Sequence, residues 1–298
     1  MAALYAVWFG LGLAMATTLY EPAFAVIVSW FSRGRDRALL TVTLVAGLAS
    51  TIFMPIEAAL LERMGWRAAL TVLAVVLGVI TIPIHALLLR QGAAGGAADG
   101  AAAPGATLGE AARTPVFWVL TIAFLVSNFA TAALTTHLIP FLVDYGYSAA
   151  FAAAAIGWMG AMQLAGRVLF VPISTRLGSR VMVAAVFVAQ ALGIGQLPLL
   201  ARVGTLVPFI VLQGAANGMA TLARASSLAD IFGARNYGAI AGAVALAANG
   251  ARAIGPVGAS LLLLGLGSYA GVFWALTASL LAAAVAIVVS EISTRRGR

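Results

Sequence analysis

The chain has 298 residues, 63% of them hydrophobic and only 9% charged, with a mean hydropathy of +1.06. A soluble domain carries about 25% charged residues, so this composition excludes a water-soluble fold and points to an all-α membrane protein. The 17 basic residues, all arginine, exceed the 9 acidic ones for a net charge of +8, but most lie in short turns between apolar runs, where they set membrane orientation and do not imply nucleic acid as a partner. There are no cysteines, which removes thiol catalysis, cysteine-type zinc sites and disulfides. Residues 1–9 have no basic start of the kind that opens a cleaved signal peptide.

A bilayer core of about 30 Å needs about 20 apolar residues per helical crossing. Nine such segments follow one another, with cores at 3–30, 38–61, 67–89, 115–142, 149–173, 181–201, 205–229, 238–264 and 267–290, here helices a to i. The longest break, within 91–114, is rich in Ala and Gly and reads as a flexible linker. It separates a three-helix N-terminal part, 1–90, from a six-helix part, 115–298.

Placing the a–b turn in the cytoplasm gives that side eleven arginines, among them Arg33, Arg35, Arg37, Arg176, Arg180 and Arg235, and the other side only Arg63, Arg67 and Arg202. This bias puts Met1 outside and Arg298 in the cytoplasm of an inner-membrane protein. An offset of 201 residues superimposes Phe31 on Phe232 and Pro55 on Pro256, and a one-residue insertion then superimposes Gly65 on Gly267. Helices a, b and c therefore repeat as g, h and i, while d, e and f have no counterpart. At the same spacing that counterpart would fill roughly the 90 residues before Met1.

Two six-helix halves joined by a long linker resemble the major facilitator superfamily, with a to i matching its fourth to twelfth helices and its first three absent. Three stretches carry the resemblance: YEPAFAVIVSWFSRGRDRA at the end of helix a, GWRAAL at 65–70, and GRVLFVPISTRLGSR at 166–180. The last is similar to the family's basic turn at Arg176, Gly178 and Arg180, and departs from it at Val171 and Thr175. LARASSLADIFGARNYGAIAG (222–242) followed by NGARAIGPVGAS (249–260) looks most like monocarboxylate and oxalate–formate porters. The resemblance implies alternating access of a mid-depth cavity lined by a, d and g and flanked by b, e and h.

Polar groups in hydrocarbon are costly, so their depth marks candidate sites. Asn128, Gln163, Asn217, Asn249 and Arg252 fall near the middle of helices d, e, g and h, and Tyr20 lies on a. Arg252 is the leading substrate group, because a guanidinium at mid-depth needs an anion or water and its planar fork suits a carboxylate. The bland alternative is a structural pair. Glu21 is either a carboxylate that takes a proton during coupling or the static partner of Arg224. Arg167 and Arg224 are read as gating or structural, as are Arg176, Gly178 and Arg180. His137 is a lesser candidate, and Gly214-x-x-x-Gly218 and Gly238-x-x-x-Gly242 are close-packing spacings. No metal-ligand spacing or phosphate loop occurs, so no cofactor and no enzyme chemistry are expected. The partners expected are a small solute, a proton or counter-anion, and the bilayer. Efflux of hydrophobic compounds and a non-transporting remnant or scaffold are the competing functions.

Overall fold

The computed structural model describes residues 1–31, 33–92, 105–199 and 206–296, with side chains except at 50, 51, 88–92 and 291–296. Most of the linker, Arg202 and Arg298 lie outside the described residues, as do the side chains of Arg90, Arg295 and Arg296.

Helix a is two helices. α1 (Ala2–Thr18) and α2 (Tyr20–Trp30) meet at Leu19, whose backbone is extended. Pro22 explains the break: it has no N–H to offer and its ring crowds the carbonyl of Thr18, so the helix restarts just before it. α3 (Arg35–Gly47) follows a glycine turn, Gly34 having φ +72°. α4 (Ala49–Gly92) contains the end of helix b and all of helix c, with helical geometry broken at Gly65, φ +74°. Only glycine adopts that conformation freely. Its repeat partner Gly267 ends α10 at φ +69°, so the two copies turn at corresponding glycines.

The other segments match the hydropathy reading closely: α6 (Pro115–Asp144), α7 (Ala149–Leu177), α8 (Ser179–Gly195), α9 (Leu206–Phe232), α10 (Tyr237–Leu266) and α11 (Tyr269–Arg296). Their starts are chemically marked. Thr114 and Ser148 accept backbone N–H bonds from Phe117 and Phe151, and Pro115 occupies the first turn, where a missing donor costs nothing. The end of the predicted linker is ordered: α5 (Leu108–Ala112) begins in a capping box in which the Glu110 carboxylate accepts the Thr107 N–H at 2.7 Å. That hydrogen bond holds the Glu110 pKa below its ordinary value.

Eight helical segments among the described residues are long and apolar enough to cross a membrane, one of them the 53-residue stretch Arg35–Leu87 that contains the Gly65 break. In the C-terminal part α6 packs on α10, α7 on α9, and α8 on both α9 and α11. Glycines allow the closest contacts: a Cβ at Gly214 would lie 2.6 Å from the Met159 carbonyl oxygen, and one at Gly255 would lie 2.7 Å from the Ala132 Cβ. Gly238 approaches Ala25 of α2, whereas Gly242 has open space around it and is not a packing contact. In the N-terminal part α1 has no buried residue, and α4 is exposed along nearly its whole length. Contact between the two parts is made by α2 against α10 and by α3 against α7 and α9.

Candidate functional site

The predicted polar residues separate into three groups. The first joins the two parts at the arginine-rich end. Glu21 of α2 forms an ion pair with Arg224 of α9, and Arg35 of α3 pairs with Asp230, whose carboxylate also accepts the Ser179 hydroxyl. Asp36 accepts the hydroxyls of Ser226 at 2.8 Å and Ser174 at 3.4 Å. Arg167, only 8% exposed, donates from Nη1 to the Thr43 carbonyl at 2.7 Å. Gly47 makes room for that guanidinium, since a Cβ there would lie 2.7 Å from Arg167 Nη1.

This arrangement balances three guanidinium groups against three carboxylates. It also complements the dipole of α3, with Asp36 in the first turn and the Arg167 guanidinium near the last carbonyls. Arg167 and Arg224, read from the sequence as gating or structural residues, thus face the Thr43 carbonyl and Glu21 respectively. Asp36, Asp230, Ser174, Ser179 and Ser226 went unremarked in the sequence, where acids and arginines in turns read as orientation signals alone. Gly178 has φ +72° and joins α7 to α8, placing the exposed Arg176 and the half-buried Arg180 around that turn.

The second group is a buried amide relay in the C-terminal part. The Ser127 hydroxyl donates to Gln190 Oε1 at 2.8 Å, Gln190 Nε2 donates to Asn217 Oδ1 at 2.8 Å, and the Thr131 hydroxyl donates to the same oxygen at 3.2 Å. Asn217 is thus held by α6 and α8 while sitting on α9. Asn128 turns its amide back to the Phe124 carbonyl at 2.9 Å. Gln190 was not singled out from sequence; an amide inside an apolar run was the available signal. Gln213 is fully buried, and neither polar atom of its amide has a partner among the described residues.

The third group is a strip along α10. Asn249, Arg252, Pro256 and Ser260 follow one another at intervals of three and four residues and so share one face. Asn249, Arg252 and Ser260 are exposed and Pro256 half-buried, while Gly255 and Ala259 are buried, Gly255 against α6. At the far end of the strip His137 Nε2 lies 3.3 Å from the Pro256 carbonyl oxygen and 3.4 Å from the Ser260 hydroxyl. The ring of His137 also lies against Tyr269, centroids 5.9 Å apart.

No hydrogen bond or ion pair engages the Arg252 side chain among the described residues, in contrast to Arg35, Arg167 and Arg224. Nor does any hydrogen bond join Arg252 to Asn128, Gln163, Asn217 or Tyr20; Gln163 is half-buried on α7, and Tyr20 stacks on Phe24 at 5.3 Å. The geometry therefore offers an unpaired cation on an exposed polar strip, and a separate, charge-neutral lock between the two parts.

The family model for the Major Facilitator Superfamily matches residues 1–169, from α1 into α7. None of the curated proteins compared with the chain matches it.

Proposed function

The chain belongs to the Major Facilitator Superfamily, and from that premise we propose that it is a multi-pass secondary carrier in which Arg252 holds the anionic group of a small organic acid or similar polar solute. The observation that carries this reading is the exposed, unpaired guanidinium near the centre of α10. A charge at that depth is retained against a substantial desolvation cost, and among the described residues no carboxylate offsets it. Asn249, one turn away, and Asn217, Asn128, Gln163 and Tyr20 supply further polar groups to the cavity walls.

In this reading the chain crosses the inner membrane nine times, α4 turning back at Gly65, with the C-terminus and the arginine-rich turns in the cytoplasm. The lock of Glu21, Arg35, Asp36 and Arg167 with its partners closes the cytoplasmic side, so alternating access requires it to open. Glu21 releases Arg224 when it takes a proton, which couples transport to the proton gradient; a counter-anion is the other source of drive. The stretches around 222–242 and 249–260 favour a monocarboxylate or oxalate–formate type of solute over a hydrophobic efflux substrate.

Arg252→Ala and Arg252→Lys test the assignment when membrane abundance and uptake of a panel of small carboxylates are measured together. Both variants are expected to reach the membrane at native levels. Alanine should abolish uptake, and lysine should restore little of it, because it keeps the charge but not the two-point contact. Native uptake in both variants removes Arg252 from the site. One observation favours a second reading, a non-transporting scaffold: the bare surface of α1 and α4. Absence of uptake of every solute, together with stable capture of another membrane protein on that surface, would favour it.

A further inference from the structure

We propose that the main-chain carbonyl of Arg252 is a second recognition group of the same site, selecting organic anions that also carry a hydrogen-bond donor. The inference rests on the reading of Arg252 as the anion-binding group. In an α-helix each carbonyl accepts the N–H four residues on. Four residues beyond Arg252 stands Pro256, inside the unbroken run of α10. Proline has no N–H, so the Arg252 carbonyl has no ladder donor, and the pyrrolidine ring pushes it outward.

No side chain among the described residues replaces that donor. The neighbouring hydroxyl of Ser260 donates to the Pro256 carbonyl at 3.0 Å, one turn further along. A helical carbonyl points along the axis toward the residue four places on, so the released oxygen faces Pro256, the next residue of the strip. Gly255 and Ala259 adjoin the strip on the same side of the helix and are buried, Gly255 against α6. α10 therefore presents a cation and a bare acceptor from one residue. An unpaired backbone carbonyl in a water-poor cavity is unfavourable, and a ligand that donates to it removes that penalty. A simple carboxylate satisfies the guanidinium alone, whereas a hydroxy-substituted one satisfies both.

The other prolines inside helices remove a ladder donor too, but not in this combination. Pro22 does so for Thr18 at the end of α1, Pro55 for Thr51, Pro83 for Val79, Pro140 for Thr136 and Pro172 for Val168. None of those residues carries a charge.

The test is calorimetric binding of butanoate and of 2-, 3- and 4-hydroxybutanoate to the full chain in lipid nanodiscs. At least one hydroxy acid should bind about five- to tenfold more tightly than butanoate, the worth of one added hydrogen bond. Pro256→Ala returns an N–H to the Arg252 carbonyl. It should bring that ratio to about one, while Arg252→Gln weakens all four acids. Pro256→Gly restores the same donor in a more pliable helix and serves if the alanine variant does not fold. Equal binding of all four acids to the native chain overturns the proposal, as does a hydroxy preference that survives in the proline variants. Failure of every acid to bind, or binding indifferent to Arg252→Gln, overturns the underlying assignment of Arg252 and this proposal with it.

Discussion

At the scale of single residues, two arginines deep in helices, one read from the sequence as substrate-binding and the other as gating or structural, have opposite surroundings. Arg224 is satisfied by Glu21, with side chains 14% and 27% exposed, whereas Arg252 is exposed and has no carboxylate near it among the described residues. Partly buried pairs of this kind add little net stability over a well-packed apolar pair, yet removing one member is costly because the other is stranded. Glu21→Gln is accordingly expected to destabilise the protein by about 2 kcal/mol, and Arg224→Gln added to it should recover much of the loss. Melting temperatures of the purified single and double variants check this; additive losses would show that the two groups do not interact. The partnership between Glu21 and Arg224 was legible as one of two readings, since one acid and one arginine lay in the same third of their helices. Asp36 and Asp230 were not, because nothing local distinguishes a solvated turn carboxylate from one that crosses to another helix.

At the scale of elements, the helix ends of the C-terminal part follow from the sequence to within about six residues. There apolar length, a capping hydroxyl and a glycine turn coincide. The N-terminal part departs from expectation where these signals conflict: hydropathy runs smoothly through Leu19 although Pro22 forbids a straight helix, and α3 ends at Gly47 inside an apolar run. Glycine spacing alone was ambiguous, since Gly214 and Gly242 belong to the same motif type and only the first has a neighbour. Gly214→Ala should cost about 1 to 3 kcal/mol through overpacking of α9 on α7. Gly242→Ala, with nothing within 4 Å, should leave the melting temperature unchanged or slightly raised. Equal shifts for the two would mean that the contact of α7 with α9 is looser than described.

At the scale of the whole molecule, the repeat of helices a to c as g to i was visible through helix boundaries and is echoed in the paired glycine turns at 65 and 267. That α2 of the first copy packs on α10, and α3 on α7 and α9, was not visible in the sequence, because that information lies in contacts and not in periodicity. The absence of cysteine allows topology to be tested without background labelling. Trp66→Cys should react with an impermeant maleimide on intact cells, and Arg33→Cys only after permeabilisation; the reverse pattern would invert the proposed orientation. The N–H of Ala106 donates to the Phe232 carbonyl at 2.8 Å, and Gly105 bridges to Gly233, so the connection between the two parts is anchored at the α9–α10 turn before α6 begins. Between Gly92 and Gly105 the covalent chain can span at most about 45 Å at full stretch, which bounds how far the end of α4 can lie from the α9–α10 turn.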